Sequence, residues 1–221
     1  MKRKIWLIIG GAWILAGGIL FAVALSLLGW DFAALSTTSY ETSEYTVTES
    51  FRDLRIEADT ADVTVLVAED GVARVEIYEE EAARYRVSVE NGTLTVRLAD
   101  EREWYHFIGV NFDSPEIRVY LPAQELGTLA VETDTGDVTL NQCYAAELCV
   151  DVDTGDVTLN RCDADAIYIE TDTGDVTGTL LTEKTFRIET DTGRYDVPYG
   201  TVGGICAITT DTGDIKIEIV P

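Results

Sequence analysis

Short runs of alternating apolar and polar residues recur along the second half of the chain, each centred on a Thr-Asp-Thr-Gly-Asp motif or a close variant. Mostly apolar residues stand five and three positions before the first aspartate of each motif, and four and six positions after it. Alternation with a period of two places such residues on one face of a β-strand. The pattern predicts paired short strands with an apolar inner face, joined at the motif by a glycine turn.

The motif returns at a nearly fixed period. The copies are TDTGDVTL at Thr133–Leu140, VDTGDVTL at Val152–Leu159, TDTGDVTG at Thr171–Gly178, TDTGRYDV at Thr190–Val197 and TDTGDIKI at Thr210–Ile217. Their lead aspartates are 19, 19, 19 and 20 residues apart, and a diverged copy stands at Ala58–Val65. A constant period near 20 is typical of solenoids, whose units bury their apolar faces against one another. We predict an all-β fold, a β-solenoid or β-helix of ~19-residue repeats stacked in sequence order.

Residues 45–122 show the same alternation without the fixed period, and we predict an irregular β part before the regular repeats of 123–221. Strands are predicted at Asp62–Val67, Ala73–Tyr78, Tyr85–Val89, Thr93–Leu98 and Glu116–Leu121. Asn91-Gly92 is typical of a tight hairpin turn. We expect residues 99–113 to form a loop and the Ser- and Thr-rich residues 29–44 to form a juxtamembrane linker.

The N-terminal segment Ile5–Leu28 carries no charge over 24 residues. As a helix it would be about 36 Å long, enough to cross a hydrocarbon core of roughly 30 Å, and it exceeds the usual apolar core of a cleaved signal peptide. The basic tip, residues 1–4, predicts a cytoplasmic N-terminus and an extracytoplasmic remainder. We therefore expect one transmembrane α-helix in the cell membrane, with cleavage near Ala22–Ala24 as the alternative.

Charge is distributed unevenly along the chain. All 40 acidic residues follow Trp30, whereas three of the 16 basic residues lie in the tip, and the net charge is -24. Such a surface repels nucleic acid and anionic headgroups and attracts cations, basic envelope proteins or other cationic ligands. The alternative is that the charge serves solubility alone.

Stacking would align acidic residues in three columns. The lead column is Asp134, Asp153, Asp172, Asp191 and Asp211; two positions earlier stand Glu132, Asp151, Glu170 and Glu189; three positions after the lead stand Asp137, Asp156, Asp175 and Asp214, with Arg194 interrupting. Like charges ~4.8 Å apart repel, so the columns need relief. Relief can come from hydrogen bonds to the turn backbone, from raised pKa values, from solvent and salt, or from a bound cation. In the last case Asp134, Asp137, Asp153, Asp156, Asp172 and Asp175 would bind calcium, a hard cation that takes about 6–8 oxygen ligands.

The cysteines fall at defined positions of the repeat. Cys143 and Cys162 occupy equivalent positions in consecutive repeats, so they could form a disulfide or pack as two buried thiols. Cys206 falls in the inward column and is expected in the core. Cys149 falls in an outward position and is expected to be the more reactive thiol.

No motif in the sequence predicts an active site. His106 is the only histidine, there is no Cys-x-x-Cys pair, and no glycine-rich phosphate loop precedes a helix. Zinc binding, nucleophilic catalysis and nucleotide binding are therefore not indicated. We predict a protein that is not an enzyme; a β-helical polysaccharide-active enzyme is the weaker alternative, because the repeat itself explains the abundant carboxylates.

The strand EIRVYLP at Glu116–Pro122, followed by LxVxTxxGDVTL repeats, resembles the bacterial DUF4097 family, whose members are often labelled "putative adhesin". The resemblance covers about residues 45–221. It implies a β-helical envelope domain with a binding or sensing role, and it carries over no catalytic residues. We expect a membrane-anchored, extracytoplasmic acidic module that binds or senses a component of the cell envelope. A structural or adhesive surface module with calcium-stabilised aspartate ladders is the alternative.

Overall fold

The computed structural model describes residues 2–27, 39–80, 83–99, 114–200 and 202–220. The N-terminal helix α1 comprises Lys2–Leu27. Among the described residues, no helix combines the length and the hydropathy that a membrane crossing requires. The chain divides into two compact units, one containing α1 and the other all of the strands.

Strands make up the second unit, which confirms the all-β prediction. They are β1 (Tyr40–Thr46), β2 (Asp53–Thr60), β3 (Asp62–Val67), β4 (Arg74–Glu80), β5 (Tyr85–Glu90), β6 (Thr93–Leu98), β7 (Glu116–Leu121), β8 (Glu125–Thr135), β9 (Val138–Asn141), β10 (Tyr144–Thr154), β11 (Val157–Thr173), β12 (Val176–Leu180), β13 (Lys184–Thr192), β14 (Tyr195–Asp196), β15 (Gly204–Thr212) and β16 (Ile215–Ile219). The positive φ angles of Asn91 and Gly92 confirm the tight turn between β5 and β6.

Each repeat places one strand in each of two sheets. Sheet one has the order β1-β4-β7-β3-β9-β11-β12-β16-β14, and sheet two has the order β5-β6-β2-β8-β10-β11-β15-β13. The long strand β11 turns the corner and belongs to both. We call the two strands that flank one motif a rung, and the six rungs from β2–β3 to β13–β14 the repeat stack.

Within the repeat stack, neighbouring strands are parallel and equivalent positions lie side by side. Leu148, for example, pairs with Leu129 on one side and Ile167 on the other. The diverged copy Ala58–Val65 is also a rung, and it lies directly beside β8–β9 although more than sixty residues separate them in sequence. The stacking of like positions that the period predicts is therefore present.

The order of the last two rungs differs from the prediction. β15 pairs with both β11 and β13, and β16 pairs with both β12 and β14, so the rung β15–β16 lies between β11–β12 and β13–β14. The prediction of stacking in sequence order is wrong at this point. Gly203 and Gly204 allow the chain to re-enter the stack, because a Cβ on either would lie 1.9 Å from the carbonyl oxygen of Glu183 or Asp165.

The other end of the repeat stack is finished by strands from the irregular part. β6 and β7 extend the two sheets beyond β2 and β3 in parallel, and β5 and β4 then add to them in antiparallel orientation. β1 pairs with β4, so residues 40–44 belong to a strand where the sequence analysis placed a linker. The carboxylate of Glu79 is fully buried here and accepts hydrogen bonds from the Ser43 hydroxyl and the Tyr85 amide.

The core is built from the inward columns of the two sheets. In sheet two these are Leu94, Leu54, Leu129, Leu148, Ile167 and Cys206, and Val96, Ile56, Val131, Val150, Ile169 and Ile208; in sheet one they include Val63, Val138, Val157, Val176 and Ile215. All of these side chains are buried. Burial of a leucine or isoleucine side chain stabilises a fold by about 1.5–3 kcal/mol, so these columns hold the rungs together.

The turn glycine of each rung is required by its neighbour rather than by the turn alone. A Cβ on Gly174 would lie 1.9 Å from the carbonyl oxygen of Gly155, and one on Gly155 would lie 2.1 Å from that of Gly136. Ala61 stands at this position in the first rung, where the amide of the next residue bonds to Pro115 instead of to another turn. The alanine thus stands in the rung at the end of the row of turns.

Candidate functional site

The outer face of sheet two carries two acidic columns. The lead column runs Asp59, Asp134, Asp153, Asp172, Asp211 and Asp191 in spatial order, and the column two positions earlier, the glutamate column, runs Glu57, Glu132, Asp151, Glu170, Thr209 and Glu189. Because rungs are ~4.8 Å apart, each carboxylate has others one rung away. The columns predicted from the sequence are therefore assembled, with Asp211 and Asp191 exchanged and Asp59 added.

The third predicted column lies in the turns and forms a hydrogen-bonded ladder, which we call the turn ladder. Each Oδ1 atom accepts a hydrogen bond from the backbone N–H of the next rung, at 2.7 to 2.9 Å. The accepting residues, in spatial order, are Asp62, Asp137, Asp156, Asp175 and Asp214, and the last donor is the amide of Arg194. The aspartates thus bond to backbone, as one sequence interpretation expected, but they join neighbouring rungs instead of closing their own turns.

Arg194 ends the turn ladder instead of interrupting it. Its guanidinium nitrogen Nη2 lies 3.2 Å from Oδ2 of Asp214, and its amide bonds to Oδ1 of the same side chain. The hydrogen bond from the Arg194 amide, followed by the Arg194 side chain, lowers the pKa of the Asp214 carboxyl. The charge of the ladder is therefore partly compensated at this end.

The lead column has no such compensation at Asp134. Burial, then the charge and hydrogen bond of Asp59, and then the charge of Asp153 raise the pKa of the Asp134 carboxyl. The part of this rise in pKa that comes from Asp59 and Asp153 reflects a locally negative potential. This face can therefore lower its free energy by attracting cationic groups.

The six aspartates predicted as calcium ligands lie in two separate columns. Asp134, Asp153 and Asp172 project from the outer face of sheet two, whereas Asp137, Asp156 and Asp175 lie in the turn ladder with Oδ1 occupied by a backbone amide. Within the described part of the chain, no three His, Cys, Asp or Glu side chains are grouped in a way that could hold a metal ion. Specific calcium binding stays a prediction from the sequence.

Beside the glutamate column lies a shallow groove of about 340 Å³. Its floor includes the outward column Ala130, Cys149, Tyr168 and Ala207, and one side is formed by Glu132, Asp151 and Glu170. Small residues flank Tyr168, whose side chain remains 43% exposed. Arg55 closes one end of the groove and lies near Glu132. The groove combines an aromatic surface with a row of negative charges.

The cysteines occupy the positions that the repeat predicts. Cys149 lies between Ala130 and Tyr168, and Cys206 is buried between Ile167 and Phe186. Burial, followed by the charge of Glu147, raises the pKa of Cys149, so this thiol is a weaker nucleophile than its outward position suggested. Burial raises the pKa of Cys206 to about 12.

Cys143 and Cys162 are adjacent and both are buried as free thiols. Their thiols lie near backbone carbonyl oxygens, with Cys162 Sγ 3.2 Å from the oxygen of Leu140. The hydrogen bond with Cys162, together with burial, raises the pKa of Cys143. The sequence left open a disulfide or two buried thiols at these positions, and the structure has two buried thiols.

Two further ladders were not found by the sequence analysis. The inward threonines Thr171 and Thr210 donate their hydroxyl groups to glycine carbonyl oxygens of adjacent turns, and Asn160 donates its side-chain amide to Asn141 at 2.9 Å. The available signal was threonine one residue before four of the five lead aspartates, Val152 being the exception. Residues 100–113 of the predicted loop, which include His106, lie outside the described residues.

Most of the chain matches the model of a known protein family. The model of the family described as Toastrack DUF4097 matches residues 51–219, which is most of the chain and includes every rung. No curated protein matches the sequence significantly.

Solved structures with a similar fold have low sequence identity. A "putative cell adhesion protein" from Clostridium sporogenes ATCC 15579 is 12% identical, with a TM-score of 0.63, and the alignment covers 82% of this chain and 100% of that one. A "putative adhesin" from Bacteroides fragilis NCTC 9343 is 16% identical, with a TM-score of 0.40 and coverage of 81% and 97%. A "putative lipid binding protein" from Parabacteroides distasonis ATCC 8503 is 10% identical, with a TM-score of 0.30 and coverage of 83% and 98%. At these identities the similarity of the first structure shows the fold alone.

Proposed function

This chain belongs to the Toastrack DUF4097 family, and from that premise we propose that it is a non-catalytic binding module of the cell envelope that recognises cationic ligands. The observation that carries the proposal is the glutamate column beside the groove on sheet two. Its carboxylates are held at fixed spacing by in-register strands, so a ligand with several positive groups meets a preorganised surface. The neighbour described as a cell adhesion protein agrees with a surface role.

The repeat stack acts as a solenoid-like scaffold in this proposal. Backbone pairing and the buried columns fix the position of each outward side chain, so binding needs little reordering of the protein. Cationic side chains would lie along Glu132, Asp151 and Glu170, and an apolar or aromatic part of the ligand would contact Tyr168. Electrostatic attraction of this kind raises the association rate and weakens with salt.

The proposal places the module outside the cytoplasmic membrane, tethered by the N-terminal segment. The support is the uncharged run Ile5–Leu28 and the basic tip before it. The single-pass tether stays a prediction from the sequence. Recovery of the full chain in the membrane fraction, with release by detergent but not by concentrated salt, would support it, and recovery in the soluble fraction would contradict it.

A fluorescent decalysine peptide serves as the probe for cationic binding. We expect the full chain to bind it at low salt, and we expect the triple variant Glu132→Gln/Asp151→Asn/Glu170→Gln to lose about tenfold in affinity, because each ion pair contributes roughly 0.5 kcal/mol. Fluorescence anisotropy measures the dissociation constants of the native chain and of the triple variant for the peptide. These substitutions leave the shape of the outer face nearly unchanged.

The matched control removes the same charge elsewhere. Glu44→Gln/Glu49→Gln/Glu69→Gln changes three exposed residues outside the repeat stack. A loss confined to the column variant supports a defined binding face. Equal losses in both triple variants would show a diffuse charge effect, and absence of binding at low salt would refute the proposal.

A further inference from the structure

The end of the repeat stack formed by β13 and β14 leaves its apolar columns only partly covered. β13 is the last strand of sheet two, and its residues Phe186 and Ile188 continue the two inward columns of the core. Both are only partly buried, whereas Ile167, Cys206 and Ile208 in the same columns are buried. At the opposite end of sheet two, Val87 and Val89 of the last strand β5 are likewise only partly buried, so the two ends do not differ in the cover of their columns.

The backbone of β13 is also open on one side. Within the described ranges, β13 pairs with β15 alone. The connection to β15 passes near the start of the strand, where a Cβ on Gly200 would meet the carbonyl oxygen of Lys184. The stretch from Phe186 onward therefore presents unpaired backbone groups, and such an edge is a template for pairing with another strand.

The charge of this end differs from that of the rest of the stack. The segment Lys184–Asp196 contains three basic and three acidic residues, whereas Tyr144–Asn160 contains four acidic residues and no basic one. Lys184 is buried, and its Nζ atom lies 2.5 Å from Oδ1 of Asp163, so it adds no free charge to the edge. A second acidic molecule can approach this end with much less repulsion than it would meet along the middle of the repeat stack.

We propose that the β13 edge binds a second copy of this chain, with the two β13 strands antiparallel about a two-fold axis at Ile188. A two-fold axis makes each residue contact its complement on the other copy. In this register, Arg187 of each copy lies opposite Glu189 of the other, and Ile188 lies opposite Ile188. The strand is thus self-complementary in charge on its outer face and apolar at the centre of its inner face.

The alternating order of residues makes this pairing consistent with the sheet. Arg187 and Glu189 are both exposed on the outer face, and Phe186 and Ile188 point into the core. Opposite charges that face each other across two strands stabilise pairing by roughly 0.2–1 kcal/mol per pair, and like charges destabilise it. The edge-to-edge contact also continues the hydrogen bonding of sheet two and covers the exposed ends of the core columns.

Charge reversal of the full chain tests this pairing, with light scattering after size-exclusion chromatography as the measurement. We expect the native chain to be dimeric at micromolar concentration. Arg187→Glu places two glutamates opposite each other at both contacts, and Glu189→Arg does the same with two arginines. Each single variant should raise the dissociation constant at least about tenfold.

Variants that restore opposite charges across the contact give the decisive comparison with the single variants. The double variant Arg187→Glu/Glu189→Arg should dimerise like the native chain, and an equimolar mixture of the two single variants should form heterodimers. Arg52→Glu makes the same charge change at an exposed residue away from β13 and should stay dimeric. Circular dichroism confirms that each variant is folded.

Three results would overturn the inference. These are a monomeric native chain at all accessible concentrations, an oligomer that ignores both single variants, and an oligomer that both single variants weaken but that neither the double variant nor the mixture restores. The second result would assign self-association to another surface. The third would show that the contact partner at this edge is not its own two-fold copy.

Discussion

The middle of the repeat stack and the end formed by β13 and β14 are made from the same motif but have different physical roles. In the middle, Leu148 is covered by Leu129 and Ile167. The turn aspartate Asp156 donates its backbone amide to the rung on one side and accepts a hydrogen bond at Oδ1 from the rung on the other side. At the end, Phe186 has a neighbour on one side only, and Arg194 replaces the turn aspartate. The motif residues therefore serve contacts with the adjacent rungs. A repeat that departs from the motif indicates a rung that lacks a neighbour on one side.

Those departures fall in the penultimate repeat of the sequence, not in the last one. The copy TDTGRYDV has Arg194 and Tyr195 in place of the usual Asp and Val, and the side chain of Tyr195 is 63% exposed. The final copy, TDTGDIKI, keeps the aspartate and an isoleucine at these positions, as an internal rung requires. The order of the rungs in space thus agrees with the composition of each copy better than with their order along the chain.

The largest expected effect on the free energy of unfolding comes from truncating one side chain of the same inward column in the middle of the repeat stack and one at its end. Leu148→Ala should reduce the free energy of unfolding by about 3 kcal/mol, because it leaves a cavity between two covered neighbours. Phe186→Ala should cost less than half as much in the monomer, although it removes a larger side chain, because the site is partly open to water. Urea unfolding followed by circular dichroism measures both; equal losses in the monomer would contradict the comparison.

A smaller effect is expected in the turn ladder. Asp156→Ala removes the acceptor for the amide of Asp175 and should cost about 1 kcal/mol in the free energy of unfolding. Asp156→Asn keeps an oxygen at the same position and reduces repulsion along the ladder, so it should change stability by less than about 0.5 kcal/mol. Thermal unfolding of the two variants separates the hydrogen bond from the charge, and a large loss in the Asn variant would show that the charge itself is needed.

The same pair of variants tests calcium. If the turn aspartates are ligands, calcium should raise the melting temperature of the native chain more than sodium does at equal ionic strength, and Asp156→Asn should reduce that increment. If the Oδ1 atoms serve only the backbone, calcium and sodium should act alike on the native chain and on the Asn variant. The second result is the one that the hydrogen bonds of the ladder favour.

Much of the fold follows from the alternation and the period. The strands β3, β6 and β7 begin and end at the predicted residues, and the side-by-side positions of Cys143 and Cys162 follow from their place in the repeat. These features depend on local pattern and on the identity of columns, both of which a sequence displays directly.

The similarity of the repeats made the stacking predictable, but it also hid the order of the rungs. Every rung presents nearly the same columns, so the pattern does not state which copy lies beside which. The glycine pair Gly203-Gly204 was the available signal, since it marks a close backbone approach. β1 was missed because the polar residues Glu41–Glu44 pair at an edge, where burial imposes little alternation.

The smallest expected effect distinguishes the lead column from the compensated end of the turn ladder. The folded-state pKa of Asp134 is raised, so its ionised form destabilises the fold; this penalty is absent below the unfolded pKa and develops as pH rises through the folded pKa. The folded-state pKa of Asp214 is lowered, so its stabilisation is present above the unfolded pKa and is lost as pH falls through the folded pKa. The two carboxyls thus act in opposite directions over the acidic range.

Asp134→Asn should therefore raise the melting temperature slightly at neutral pH and low salt, and the gain should vanish as the pH falls below the ordinary aspartate pKa of about 3.9, because the native carboxyl then holds its proton. Asp214→Asn should lower the melting temperature at neutral pH because it removes the pair with Arg194, and its difference from the native chain should also close at low pH. Melting curves of both variants across this pH range check the signs. Two variants that shift in the same direction at neutral pH would show that net charge, and not the local partner of each carboxylate, governs the acidic columns.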